Sequence, residues 1–335
     1  MDFKFFLGID VAKLTFDAVL FNSTDRNFQH REFSNDKKGF SELFKWVKQL
    51  DDQPTRHVVA CMEHTGIYSL PLCIFLQHKA MFYCMLPALQ IKRSMGIQRG
   101  KNDKIDAQMI ARYAYLYREE LQRSKLPSKS LLKLKSLLSY RERLVKCKVA
   151  IQTAHKELNA FGGNTIDRFV RLNSLSQIQQ LARSISQTDK KILQVIHQDE
   201  LINRTYSLVT SVKGVGLQIA ANMIVSTYCF SRFKNWRKFS CYCGLAPFEY
   251  SSGISIKGKT KVSHLGNKKL KALIGNGIAS AIQYDPDLAH YYHRKIQEGK
   301  HKLSVQNAIK NKLISRVFAT VNRGTPYVVL NQHLS

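Results

Sequence analysis

Two aspartates stand three residues apart in the stretch NDKIDA, as Asp103 and Asp106, among the basic residues Arg99, Lys101, Lys104, Arg112 and Arg118. Two further acids close short apolar runs: Asp10 in GIDVAK and Glu63 in CMEHTG. Taken singly, each has a structural reading. A strand-end aspartate caps the next turn, and Asp103 can N-cap a helix with Asp106 in its first turn, where the helix dipole favours negative charge. Taken together they suggest chemistry. Residues at i and i+3 share one helix face, so Asp103 and Asp106 can point at one sheet edge. Four converging carboxylates repel one another unless a divalent cation lies among them, and hard oxygen donors suit Mg²⁺ or Mn²⁺. Two such ions about 4 Å apart stabilise the attacking and leaving oxygens of phosphoryl transfer. Arg99, Lys101 and Lys104 would then face phosphate.

A second block, GLAPFEYSSGISIKGKTKVSHLGNKKLK (244–271), joins Ser251 and Ser252 to Lys257, Lys259, Lys261, Lys268, Lys269 and Lys271. On its chemistry alone it is a flexible basic loop for phosphate, because no His–Asp pair is placed to activate a serine. Just before it, SLVTSVKGVGLQIAANMIVS reads as helix, Gly214-Val215-Gly216 turn, helix. The backbone N–H groups of such a turn can hold phosphate without reading bases, or the turn can be an ordinary corner. His64 is a candidate base or ligand beside Glu63, with a structural role as the alternative. Trp236, Phe239, Tyr242 and Tyr250 interleave with Arg237 and Lys238, and either stack on unpaired bases or fill a core.

These residues need a scaffold. Phe3–Ile9, Leu14–Phe21, Phe28–Phe33, His57–Met62 and Met81–Leu86 read as strands, and Lys37–Leu50 and Ile67–His78 as helices. Three strands, a helix, then alternating strand and helix is the order of an α/β ribonuclease-H-like domain over 1–122. In that fold the first and fourth strands adjoin, which sets Asp10 beside Glu63. A Pro/Ser/Lys linker at 123–130 precedes two long polar helices, Leu131–Phe161 and Ile166–Ile202, broken at Gly162-Gly163-Asn164. They predict a helical hairpin over 123–203, either a coiled-coil-like spacer and dimerisation element or a pair packed on its own chain. Residues 204–335 form a basic, mainly helical domain.

The 335-residue chain carries 52 Lys+Arg against 24 Asp+Glu, a net charge of +28. The excess is uneven: +3 over 1–122, +9 over 123–203 and +16 over 204–335. This points to a polyanionic partner. A membrane surface is disfavoured because no terminal helix joins a continuous apolar face to a basic one. No apolar run reaches about 18 residues, so no segment is expected to span a membrane. The seven scattered cysteines fit buried thiols in a reducing cytoplasm better than disulfides or zinc.

The order and spacing of these blocks resemble the DEDD transposases of insertion sequences, the group that includes pilin-gene invertases and bridge-RNA-guided recombinases. GIDVAK, the Glu of MEHTG, and KNDKIDA match that family's four acids as Asp10, Glu63, Asp103 and Asp106. The GVG hairpin and GLAPFEYSSG match its second domain. The family's pattern of proline, four residues, then Ser-Gly runs from Pro247 to Ser252, rather than to the adjacent Ser251. The resemblance implies a RuvC-like metal domain, a spacer, and a transposase domain with a helix-hairpin-helix-like element and a nucleophilic serine. It also implies donor and target DNA, a structured guide RNA, and a dimer or tetramer in which serine and acids meet across subunits. An invertase would use the same residues. A RuvC-like junction resolvase would use the acids without the serine, and a non-catalytic nucleic-acid-binding protein would use neither.

Overall fold

The computed structural model describes residues 3–63, 66–94, 96, 102–161, 163, 165–252 and 256–328, with backbone alone at 161, 250–252, 256, 257 and 259. The chain separates into two units, meeting at Leu126 and Pro127.

The first unit holds β1 (Phe5–Val11), β2 (Thr15–Asn22), β3 (Phe28–Ser34), α1 (Lys37–Leu50), α2 (Pro54–His57), β4 (Val58–Glu63), α3 (Leu70–His78), β5 (Phe82–Leu86), α4 (Ala88–Ser94) and α5 (Asp103–Leu116). The sheet runs β3-β2-β1-β4-β5. The first three strands are antiparallel, and β4 and β5 lie parallel to β1. The expected adjacency of the first and fourth strands is therefore present, in a mixed sheet.

Alternation along each strand divides the core. Leu7, Ile9, Val58, Ala60 and Met62 point to one face, under Phe40, Leu43 and Val47 of α1 and Leu72 and Leu76 of α3. Phe6, Val59 and Cys61 point to the other, under Ala107, Ile110, Ala111 and Ala114 of α5. The third helix starts at Leu70 instead of Ile67, with Pro71 in its first turn, where a missing N–H costs nothing. Residues 122–124 stay with this unit because they run beside β5. Ser124 N–H donates to the Tyr83 carbonyl at 2.9 Å, and Met85 N–H donates to Ser124 Oγ at 2.8 Å.

The second unit holds α6 (Lys129–Phe161), α7 (Thr165–His197), α8 (Glu200–Thr210), α9 (Leu217–Thr227), α10 (Trp236–Tyr242), β6 (Pro247–Ser252), β7 (Ile256–Val262), α11 (Lys268–Asn276), α12 (Ile278–Tyr284), α13 (Pro286–Gln297) and α14 (Lys302–Arg323). Leu131, Leu134 and Leu138 of α6 cluster with Ile192, Val195 and Ile196 of α7, so the two run antiparallel. Arg141 clamps Asp189 between them, with Nε–Oδ1 at 2.6 Å. The expected continuous helix from Ile166 to Ile202 is interrupted. The Asp199 side chain accepts from Ile202 N–H and starts α8 as a new helix. A second core, built from α8 through α14, centres on Val209, Met223, Phe239, Ile274, Ile309, Leu313 and Val317. Among the described residues no helix is long and apolar enough to cross a membrane.

Candidate functional site

Small residues set the geometry of the acidic site. A Cβ built on Gly8 would lie 2.1 Å from the Ala107 carbonyl oxygen and 2.3 Å from Ala111 N, so the α5 backbone rests directly on β1 at a position only glycine allows. Ala107 and Ala111, at i and i+4, form the matching stripe on α5. Gly8 and Asp10 share a strand face by alternation, and Asp103 and Asp106 begin the helix whose stripe continues through Ala107. The contact that buries β1 under α5 therefore also draws the two aspartates over Asp10.

Carboxylate oxygens of Asp10, Asp103 and Asp106 all lie within 4.8 Å of one another. Glu63 ends β4 one residue past the pair Ile9–Met62, level with Asp10, and alternates onto the same face as Val59 and Cys61. Asp17 stands opposite Asp10 in the β1–β2 register and is held by His30 Nε2 at 2.6 Å.

The capping reading of Asp103 gives way here. Asn102 is the N-cap: its side-chain oxygen accepts from Lys104 N–H at 2.9 Å, and its carbonyl accepts from Asp106 N–H at 2.9 Å. Asp103 is the first helical residue, exposed and directed at the cluster instead of at its own backbone. The crowding has an electrostatic signature. The Asp10 carboxyl is pushed up to about 6, first by burial and then by the negative charges of Asp106, Asp103, Glu63 and Asp17. Without a cation the cluster prefers to keep a proton. Closely spaced hard oxygen donors fit a divalent metal ion, whose charge would reverse that preference.

The other sequence candidates fall elsewhere. Lys104 is exposed on the first turn of α5. Arg99, Lys101 and His64 lie outside the described residues. Block 244–271, expected as a flexible loop, contains an antiparallel hairpin of β6 and β7. Ser252 ends β6 opposite Ile256, with an irregularity between Phe248 and Tyr250. The side chains of Tyr250, Ser251, Ser252, Lys257 and Lys259 lie outside what the structure describes. Lys261 and Lys268 are exposed. Lys269 binds Glu142 of α6 at 2.7 Å, so its charge is partly matched within the unit.

At the glycine turn, Gly214 has φ +89°, and a Cβ there would sit 2.7 Å from the Gly277 carbonyl oxygen and the Ala281 Cβ, which gives it a packing reason. Gly216 faces open space and starts α9 without a side-chain cap. Base stacking does not hold for Phe239, which is fully buried and packs against Phe233 and Phe318. Trp236 and Tyr242 lean on the same core. Sequence reasoning missed Gly8, Ala107, Ala111 and Asn102; the i, i+4 alanines after the paired aspartates were the readable signal.

The chain matches known families over both units. An IS110 DEDD transposase family model matches residues 7–159, which include all four acids, and a model described as "Transposase IS116/IS110/IS902 family" matches 206–293, which include the glycine turn and the β6–β7 hairpin. The pilin gene-inverting protein of Moraxella lacunata is 30% identical over 329 residues, covering 97% of this chain and 98% of the relative. Its counterpart in Moraxella bovis is 29% identical over the same shares. The transposase for insertion sequence element IS1111A of Coxiella burnetii is 24% identical over 255 residues, covering 69% of this chain and 66% of the relative. A match to pilin gene-inverting proteins over 97% of the chain, and transposase family models that span the stretches holding the acidic cluster and the β6–β7 hairpin, lead to one conclusion: the chain belongs to the IS110 family of DEDD transposases and is a DNA transposase/recombinase.

Proposed function

We propose that this enzyme cuts and rejoins DNA through a phosphoserine ester formed by Ser252, with a divalent ion, Mg²⁺ or Mn²⁺, held by Asp10, Glu63, Asp103 and Asp106. The observation that carries the reading is the convergence of Asp10, Asp103 and Asp106 oxygens within 4.8 Å, with Glu63 level in the neighbouring strand. When bound, the ion supplies positive charge where the phosphate in transfer becomes more negative. Ser252 Oγ attacks phosphorus and the strand's own hydroxyl leaves. The ester keeps the energy of the phosphodiester, so a second strand's hydroxyl can displace the serine and reseal without ATP. Lysines of the β6–β7 region stabilise the extra charge on the pentavalent state.

In this reading residues 1–122 are the RuvC-like metal domain, 123–203 a helical spacer that brings subunits together, and 204–335 the transposase domain, with Gly214 and Gly216 at a phosphate-binding turn. Serine and acids meet across a homodimer or homotetramer in the cytoplasm. A structured RNA encoded by the element guides target choice, and the net charge of +28 suits a protein that must hold RNA and two duplexes.

Site-specific inversion is the second reading. Its support is that relatives matched over 97% of this chain are pilin gene-inverting proteins. Both readings use one reaction and differ in the arrangement of the sites on the DNA.

The test is a denaturing gel of labelled donor and target DNA with Mg²⁺ and protein purified with its element's RNA. Wild type should give a band of DNA joined to protein, lost in Ser252→Ala and Asp103→Asn and kept in Ser251→Ala. Free cleaved DNA that persists in Ser252→Ala would leave a metal nuclease of the resolvase kind. Binding without any cleavage would leave a non-catalytic nucleic-acid-binding protein.

A further inference from the structure

The segment that leads into β6 is held by polar side chains from two helices. Lys271 of α11 donates to the Gly244 carbonyl at 3.1 Å. From α14, Asn307 and Asn311 both donate to the Leu245 carbonyl, at 3.0 and 3.2 Å. On that same turn of α14 stands Lys310. Its side chain crosses α11 at Gly275, where an added Cβ would come within 3.3 Å of both Lys310 Cε and Nζ. Gly275 and Lys271 are i and i+4, so they share one face of α11. Lys310 of α14 therefore lies one turn along α11 from Lys271, within reach of its charge, and Lys271 sits at the root of the hairpin that carries Ser252.

This arrangement is unfavourable in the free protein. Both lysines are half-buried, and among the described residues neither forms an ion pair with a carboxylate. Burial, and then the neighbouring charge of Lys271, hold the Lys310 ammonium below the usual lysine range. Like charges brought together partly out of water repel unless an anion joins them. Elsewhere in this unit, Lys269 has Glu142 and Arg316 has Asp285. Among the described residues the Lys271–Lys310 pair has no such carboxylate, and Lys271 holds the segment that leads into the hairpin.

We propose that Lys271 and Lys310 together grip one backbone phosphate of the DNA strand brought to the β6–β7 hairpin. A phosphodiester matches them in charge and offers two acceptor oxygens to two ammonium donors. Lys271 also ties the grip to the Gly244 carbonyl, so the phosphate is fixed relative to the strand that ends at Ser252. Contacts of this kind set position and carry no sequence information. The inference rests on the reading that DNA reaches this hairpin.

The experiment is anisotropy of a labelled duplex taken from the DNA flanking the gene, titrated with full-length protein over a range of salt concentrations without Mg²⁺. A labelled single-stranded RNA is run in parallel. Variants are Lys310→Gln, Lys310→Arg and Ser252→Ala, each also melted thermally. Lys310→Gln should weaken duplex binding and flatten the slope of log affinity against log salt by about 0.9, the change for one lost phosphate contact. Lys310→Arg should keep the slope. The melting temperature of Lys310→Gln should not fall, because the repulsion with Lys271 has gone. An unchanged slope overturns the proposal, and so does a lowered melting temperature with the slope intact, which would make Lys310 only packing over Gly275. Flattening confined to RNA overturns the assignment to DNA. Ser252→Ala should bind like wild type; if it still formed the DNA–protein band on the gel, the serine reading would fail while the slope result kept its meaning.

Discussion

In the second unit several carboxylates are matched by cations. Asp285 is fully buried, accepts from Arg316 and Tyr327, and caps α13 through Leu288 N–H. Asp189 is held by Arg141 and Gln218. Glu142 lies between Lys269 and Lys146, which hold it below the usual carboxylate range. In the first unit the groups that shift Asp10 are burial and four other carboxylates. The same residue type is mortar in one region and an unbalanced charge in the other. The second unit holds these acids against cations, while the first, beside structural acids such as Asp51 with His57, also gathers Asp10, Asp103 and Asp106 where a proton or an added cation relieves the repulsion. That contrast supports the proposal of metal-dependent chemistry at the first unit's cluster.

The largest expected effect tests the functional side. Asp103→Asn should cut strand cleavage by a factor of about 10³ or more, some 4 kcal/mol of lost transition-state stabilisation, while its thermal melt stays close to wild type. A collapse of the fold would return Asp103 to a structural role and erase the contrast.

On the structural side, Asp285→Ala leaves Arg316 without its buried partner and should cost about 4 kcal/mol in urea unfolding. Adding Arg316→Leu should recover much of that loss. No recovery would show that Asp285 matters as the cap of α13 more than as a counter-ion.

Gly8→Ala probes how the acids are held. Its Cβ would meet the Ala107 carbonyl at 2.1 Å, and such overpacking should cost about 2 kcal/mol. Because α5 must move to relieve it, cleavage by the remaining folded protein should drop as well. Full activity in that fraction would mean that the helix seat does not position Asp103 and Asp106.

The smallest effect is a pH-dependent one. In the folded protein Asp10 holds its proton up to about 6, against 3.8 for an ordinary aspartate. The folded state thus binds more protons, and metal-free stability falls as pH rises from about 4 to 6. Asp10→Asn removes the charge. Its metal-free melting temperature should match wild type near pH 3.5 and exceed it by a few degrees at pH 7.5, and Mg²⁺ should stabilise wild type alone. A variant no more stable than wild type at pH 7.5 would show that the crowding is relieved without metal.

The local signals in the chain were strong. The span Lys37–Leu50 is a helix whose bounds follow from its apolar spacing, and the strand-by-strand apolar runs of the first unit carried its topology far enough to set Asp10 next to Glu63. The break at 198–199 was also written locally, in Asp199, but a capping aspartate inside a long polar helical pattern competes poorly with the periodicity around it. Phe239 next to Arg237 and Lys238 illustrates the reverse: an aromatic in a basic context has the same sequence signature whether it stacks on bases or lies under Phe318.

What the sequence alone determined is therefore what depends on neighbours along the chain: periodicity, charge excess, turn residues, and the spacing of the acids and of Pro247 and Ser252. Tertiary structure decided what depends on distance through space. It showed that Asn102, not Asp103, caps α5, because capping depends on backbone angles one residue apart. It brought α5 onto β1 at Gly8, since contact between two backbones depends on the absence of a side chain on one and the smallness of those on the other. It also set Lys310 beside Lys271, 39 positions away, because helices α11 and α14 pack through a core whose pattern records burial but not partners.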